Sequence, residues 1–228
     1  MRPSLTLLCL SLTAALLVGC KKDETVATPA PEPASEAASP APAAEPSAAA
    51  PAAAPVAARA FDINAVPVSD KPLGDWPYIA PPAGYVWDDA GEIGKNTKDL
   101  ARVPVWTGGE LLWVEGKTFS DDIETPEGKT YSRFEVRKGI EQAIAAIGGQ
   151  RIGERTFDEA VYRANEKALG DFRSEFSDMS NAYWYDEDAD TYLVRRPDKA
   201  IWFVTTANND RTVVMVVEGP LPAATPAP

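Results

Sequence analysis

The chain has 228 residues, a formal net charge of −12 and no histidine, which leaves room for one ordinary domain with appendages or for two small ones. The acidic balance argues against nucleic acid as a partner, because phosphate binding needs a clustered basic surface. Without histidine there is no imidazole base, no Ser-His-Asp triad and no imidazole metal ligand, while carboxylate, lysine and tyrosine chemistry stay open.

The N-terminus reads as an address. Met1-Arg2-Pro3 is a short basic start, and residues 5–18 (LTLLCLSLTAALLV) form a run that is nearly all apolar or small. That run is shorter than the roughly 20 residues a bilayer span requires and fits the apolar region of a secretory leader. It ends at Leu17-Val18-Gly19-Cys20, with Lys21 and Lys22 next. This ending resembles the lipobox of bacterial lipoproteins. The resemblance implies cleavage of residues 1–19, a diacylglyceryl group on the Cys20 sulfur and an acylated Cys20 amine. Two or three acyl chains hold a protein firmly in a bilayer where one does not. Cys9, the only other cysteine, leaves with the leader, so no disulfide framework is expected. Lys21, in place of the aspartate that marks inner-membrane retention in this family, implies sorting to the outer membrane, with the periplasmic face of the inner membrane as the alternative.

Residues 20–59 follow as a tether. Proline, alanine, serine and scattered glutamate dominate from Thr25 to Arg59, with no aromatic residue. Such a segment cannot bury enough surface to offset its conformational entropy. Repeated prolines favour extended stretches, and about 35 residues at about 3.1 Å each reach on the order of 100 Å. Residues 219–228 (GPLPAATPAP) read as a similar disordered tail.

The globular part is expected over residues 60–218. Its first stretch, VPVSDKPLGDWPYIAPPAGYVWDD, holds five prolines and four aromatics, and Trp76, Tyr78, Tyr85 and Trp87 should pack this long loop onto the domain. Residues 102–106 and 111–115 flank Thr107-Gly108-Gly109-Glu110 as a hairpin. Pro104 makes the first of these an edge strand, since it lacks a ladder donor. The second continues through 117–123 to a turn at Thr125-Pro126-Glu127-Gly128. Two helices follow, each announced by a Ser/Thr-x-x-Glu capping box, at Ser132–Glu135 and at Thr156–Glu159. Val136, Ile140, Ile144 and Ile147 recur at helical spacing in the first, and Gly148-Gly149 closes it. The second is expected to stop at Leu169, before Gly170. Residues 150–155 form a short strand between them. Residues 191–196, 200–206 and 211–218 complete the sheet, the last two joined by Ala207-Asn208-Asn209-Asp210. The order ββ-α-β-α-βββ predicts a single α+β domain with two helices on one face of a largely antiparallel sheet.

Two groups of side chains could carry chemistry. Asp186, Asp188 and Asp190 have the alternate spacing of a calcium loop, but the sixth position is Thr191 where glycine is needed and the twelfth is Pro197 where glutamate is needed. The run therefore reads as an acidic, solvated turn before a strand. Asp121, Asp122 and Glu124 could pair with it as catalytic carboxylates if the fold brought one of them within about 6 Å; surface acids are the default reading. No motif calls for a cofactor or a metal, and the glycine pairs lack the ending of a phosphate loop.

The segment from Asp75 to Tyr85 (DWPYIAPPAGY), with Leu112–Lys117 (LWVEGK) and the helix end Ala146-Ile147-Gly148-Gly149, is similar to the N-terminal domain of some OmpA-family outer-membrane lipoproteins. The resemblance spans about residues 75–218. In that family wall binding belongs to a following C-terminal module that is not present in this sequence, so no wall-binding residue carries over. The expectation from all this is a membrane-anchored envelope lipoprotein, not an enzyme, whose head binds an envelope protein or a wall component while Cys20 binds the bilayer. An inhibitor or immunity-type lipoprotein that presents the Asp186–Asp190 run to a basic toxin or hydrolase is the alternative, and a carboxylate-dependent envelope enzyme is the second.

Overall fold

The computed structural model describes residues 60–208 and 210–223. The leader, Cys20, Lys21 and the tether lie outside the described residues. The described strands are β1 (Val86–Trp87), β2 (Thr97–Trp106), β3 (Leu111–Glu124), β4 (Gln150–Gly153), β5 (Ala189–Arg195), β6 (Ala200–Ala207) and β7 (Thr212–Gly219). The helices are α1 (Arg133–Ala146) and α2 (Glu159–Glu175), with short 3-10 turns at Ile63–Ala65 and Ser177–Tyr183. The strands form one sheet in the order β1-β3-β7-β6-β5-β4, with β2 also on β3, and every ladder is antiparallel. The α+β class expected from the sequence is the class observed.

The placement of the helices differs from expectation. Successive residues of β5, β6 and β7 are buried and mostly apolar, so both faces of the sheet centre need a cover. Tyr192, Phe203, Val216 and Phe119 are aligned across four strands and pack with Val136, Ile140 and Ile144 of α1. The neighbouring row Leu193, Trp202 and Val217 packs with Leu169 and Phe172 of α2 and with Met179 and Tyr183. One helix therefore covers each face. The chain passes from one to the other around β4, which lies at the edge of the sheet. Each of these fully buried large side chains contributes about 1.5–3 kcal/mol.

Besides its short pairing with β1, β3 joins two longer ones. Residues 111–119 pair with β2, and residues 117–123 pair with β7. At the junction, a Cβ on Gly116 would lie 1.9 Å from the carbonyl oxygen of Glu218, so only glycine fits. Pro104 sits on β2, which pairs only with β3 and is an edge as anticipated. β2 begins earlier than the sequence suggested, because a bulge between Lys98 and Ala101 breaks the alternation there.

The N-terminus of α1 shows how the sequence signal is realised. Ser132 accepts from the Glu135 amide, as a capping box requires. The return bond runs through a third residue. The Ser132 amide donates to the Tyr85 hydroxyl at 3.1 Å, and that hydroxyl donates to Glu135 Oε2 at 2.9 Å. Tyr85 thereby ties the proline-rich loop to the helix start, and Trp87 packs edge-on against Phe119 at 5.1 Å. At the other end Gly148 takes φ +87°, and its neighbour Gly149 donates to the Ile144 carbonyl.

α2 departs from the sequence reading at both ends. Asp158, not Thr156, is its cap, and accepts from the Val161 amide. Thr156 instead pairs with Glu187, giving its amide to the Glu187 carbonyl and accepting the Glu187 amide on Oγ1. The helix also runs through Gly170 to Glu175. An interior glycine costs about 1 kcal/mol, and the burial of Phe172, stacked on Phe176 at 4.9 Å, offsets it. At the C-terminus Gly219 belongs to β7 and Leu221 packs on the α2-face core, so these two residues are part of the domain.

Candidate functional site

The Asp186–Asp190 run enters β5 beneath α1, and arginines from the helix meet it. Arg133, in the first turn, donates to Asp188 Oδ2 at 2.8 Å. One turn on, Arg137 grips Asp190 with Nε and Nη2 at 2.8–3.0 Å. Arg151 of β4 lies 3.9 Å from Asp190 and pairs with Glu141 and Glu154. Asp188 lies just before β5 and Asp190 within it, two residues on, and two guanidiniums spaced by four along a helix meet them in register. The reading of this run as a solvated turn is thus corrected at Asp190, whose side chain is only 3% exposed.

Electrostatics separate the two pairs. The Arg133 guanidinium holds the Asp188 carboxyl below its usual value. Burial pushes Asp190 up, against the pull of Arg137 and Arg151. Tyr192 beside it is pushed up to about 12, by burial first and the Asp190 charge second. Asp186 adopts φ +59°, and its backbone is held by Phe157 and by Arg155. A polar cleft of about 450 Å³ opens here between Arg133, Arg155, Asn181, Asp186, Glu187 and Asn208. The three aspartates do not converge on one point. Among the described residues no group of three histidine, cysteine, aspartate or glutamate side chains is arranged to hold a metal ion.

Asp121, Asp122 and Glu124 stand apart from this run. The row across the sheet reads Asp121, Val214, Thr205, Asp190. Three interstrand steps separate its ends by roughly 14 Å, well beyond the 6 Å that would let the two groups cooperate. Asp121 is 4% exposed and accepts from the Asp122 amide. Among the described residues no arginine or lysine pairs with it, and burial pushes its acid up more than the Asp122 and Asp89 amides and Asn96 draw it down. Asp122 points to the other face, where Arg211 bridges it to Asp178. The Glu124 carboxyl is raised by a hydrogen bond with Asp88.

One feature of α1 escaped the sequence reading. Phe134 is 76% exposed, although every other aromatic of the domain packs at least partly into it or stacks on a neighbour. With Arg133, Arg137, Lys138, Glu141 and Arg151 it lines a shallow groove of about 600 Å³. The signal was present in the sequence: the buried stripe of α1 runs through Val136, Ile140 and Ile144, and Phe134 falls off it. Among the described residues no helix is long and apolar enough to cross a membrane. Comparison with protein-family models, with curated proteins and with solved structures finds no match to this chain.

Proposed function

We propose that this chain is a lipoprotein anchored through acylated Cys20 on the periplasmic side of the outer membrane, and that its α+β head is a non-enzymatic binding module. The observation that carries the reading is the stretch LLVGCKKDE, where a leader-length apolar run ends at a lipobox cysteine and gives way at once to charge. The side-chain pairing of the head agrees with a binding role. Asp188, Asp190 and Asp122 are each committed to an arginine, so three of the acids singled out for chemistry serve to fasten α1 to the start of β5 and β3 to the turn before β7. The partner on this reading is an envelope protein or wall component.

The test is fractionation of cells that make the Cys20→Ala chain. Release of that chain from the membrane fraction, with the unaltered chain retained, is the expected result. Retention of the variant at the unaltered level overturns the anchor. Lys21→Asp then reads the destination: the chain should move from outer to inner membrane.

A further inference from the structure

The geometry points to a calcium site on the head: Asp121, at the base of the loop that joins β1 to β2, holds the ion together with Asp89 and the carboxamide of Asn96. The loop leaves β3 where the Asp88 amide donates to the Asp122 carbonyl at 3.0 Å, and it returns where the Ser120 amide donates to the Asn96 carbonyl at 3.2 Å. Asp121 is the one residue of β3 between these two anchors, so the loop closes over it. Continuing the register of Val86 on Glu124 and Trp87 on Ile123 sets Asp88 opposite Asp122 and Asp89 opposite Asp121. Like charges that face each other across a ladder repel. On one side of the sheet Arg211 answers Asp122. On the other side no such answer comes: Lys95 is the only cation between Asp88 and Asn96, and it is paired with Glu92. Among the described residues neither Asp89 nor Asp121 has a salt bridge.

The state of Asp121 itself calls for a ligand. It is 4% exposed and sits in an apolar wall, with Phe119 and Ile123 on either side along β3 and Val214 across from it. Its Oδ1 accepts from the Asp122 amide at 2.8 Å, while its Oδ2 is buried without a hydrogen-bond partner. Burial pushes the acid up, the Asp89 charge adds to this, and the Asp89 amide and Asn96 draw it down. A carboxyl acted on by both ends of the loop is aimed into its mouth. A buried oxygen facing a second carboxylate is unfavourable unless a cation or a proton joins the two. Asn96 already spans the mouth, its Nδ2 donating to Asp89 Oδ2 at 3.1 Å, and a half-turn of the carboxamide presents its oxygen instead. The donors are all oxygen, and the chain has no histidine, which favours a hard cation over the softer metals. A loop of mixed carboxylate and amide oxygens suits the variable coordination of calcium better than the strict octahedron of magnesium. The Asp186–Asp190 run is different, because two of its acids are taken by Arg133 and Arg137. The site does not depend on the anchor proposed above.

Calorimetric titration of calcium chloride into the purified full chain, first stripped of divalent ions with a chelator, tests the site. The expected result is one saturable event with a Kd of about 0.1–1 mM, the range of weak extracellular calcium modules, and with magnesium binding at least about tenfold more weakly. Asp89→Asn should lower the calcium affinity about tenfold or more, and its exposed position leaves folding intact. Asp121→Asn keeps the shape of the side chain and should abolish binding, and calcium should raise the Tm of the unaltered chain but not of this variant. Asp186→Asn should change nothing. If Asp121→Asn does not fold, Asp89→Asn alone decides. No heat above dilution at about 5 mM calcium, several times the expected Kd, overturns the proposal, and with it Asp121 is carried as a neutral acid that shares its proton with Asp89. Calcium binding that Asp89→Asn leaves unchanged, binding lost in Asp186→Asn, or equal affinity for magnesium also overturns it.

Discussion

The two faces of the sheet hold their helices by different means. On the α2 face the contact over the sheet centre is apolar: Leu193, Trp202 and Val217 meet Leu169, Phe172 and Met179, and the buried Tyr183 hydroxyl has the Met215 sulfur, 4.0 Å away, as its partner. Among the described residues the one ion pair from α2 to the sheet is the exposed Lys98–Glu175 contact at the helix end. On the α1 face an equally apolar centre is flanked by ion pairs, Arg137 on Asp190 and Arg133 on Asp188, and by the proline-rich loop fastened through Tyr85. Dispersion and area burial are tolerant of small rotations, whereas a two-point guanidinium–carboxylate pair fixes a helix in one register. α1 is thus held at a set height over β5, and this keeps Phe134 and Lys138 outside the core. The face with the exposed groove is the face that is ionically locked.

Substitutions on the two sides should separate these mechanisms. The largest effect belongs to the α2 face: Leu169→Ala is expected to cost about 2–5 kcal/mol in urea unfolding, as the loss of a fully buried leucine with its cavity does. Next comes Arg137→Ala, which leaves the buried Asp190 charge with only the more distant Arg151, 3.9 Å away. A loss of about 2–3 kcal/mol is expected, reduced from the value for a fully buried pair because Arg137 is 34% exposed. Adding Asp190→Val in an Arg137→Met background should recover most of it; no recovery would mean that the pair contributes more than the relief of an orphaned charge.

A pH effect of similar or smaller size comes from the same face. The Tyr192 phenol ionises near 10 when unfolded and only at about 12 when buried. Its contribution is complete below pH 10 and is lost as the pH rises towards 12, by about 2 kcal/mol. Tyr192→Phe should flatten the fall of unfolding free energy over that interval. Part of the slope should survive, because burial also raises Tyr183. The smallest effect sharpens the position of a cap. Asp158→Ala should cost about 1 kcal/mol through the lost Val161 bond. Thr156→Ala should instead free the segment at Glu187, seen as faster amide exchange there with helix content unchanged.

The strands and α1 were legible because their signals are local. Alternation, the Gly108 turn at φ +84° and the Ser132 box each act within a few residues. α2 was placed with its cap two residues early, since Thr156 and Asp158 are both competent caps and only the tertiary partner Glu187 decides between them. Its end was set too soon because Gly170 looks like a stop until the burial of Phe172 is known. The side of the sheet taken by each helix depends on where β4 pairs, which no local pattern encodes. For the site the same division holds. The lipobox at Cys20 is contiguous and readable, whereas the bond from Arg137 to Asp190 spans 53 positions of sequence and is visible only in three dimensions.

The claim on which the function rests is the chemical state of Cys20 in the mature protein. Intact-mass measurement of the chain purified from the membrane fraction, with mapping of its N-terminal peptide, tests it directly. The account predicts a chain that begins at Cys20 and carries diacylglyceryl and acyl groups on that residue. A chain that keeps residues 1–19, or that begins elsewhere with an unmodified Cys20 thiol, would contradict it.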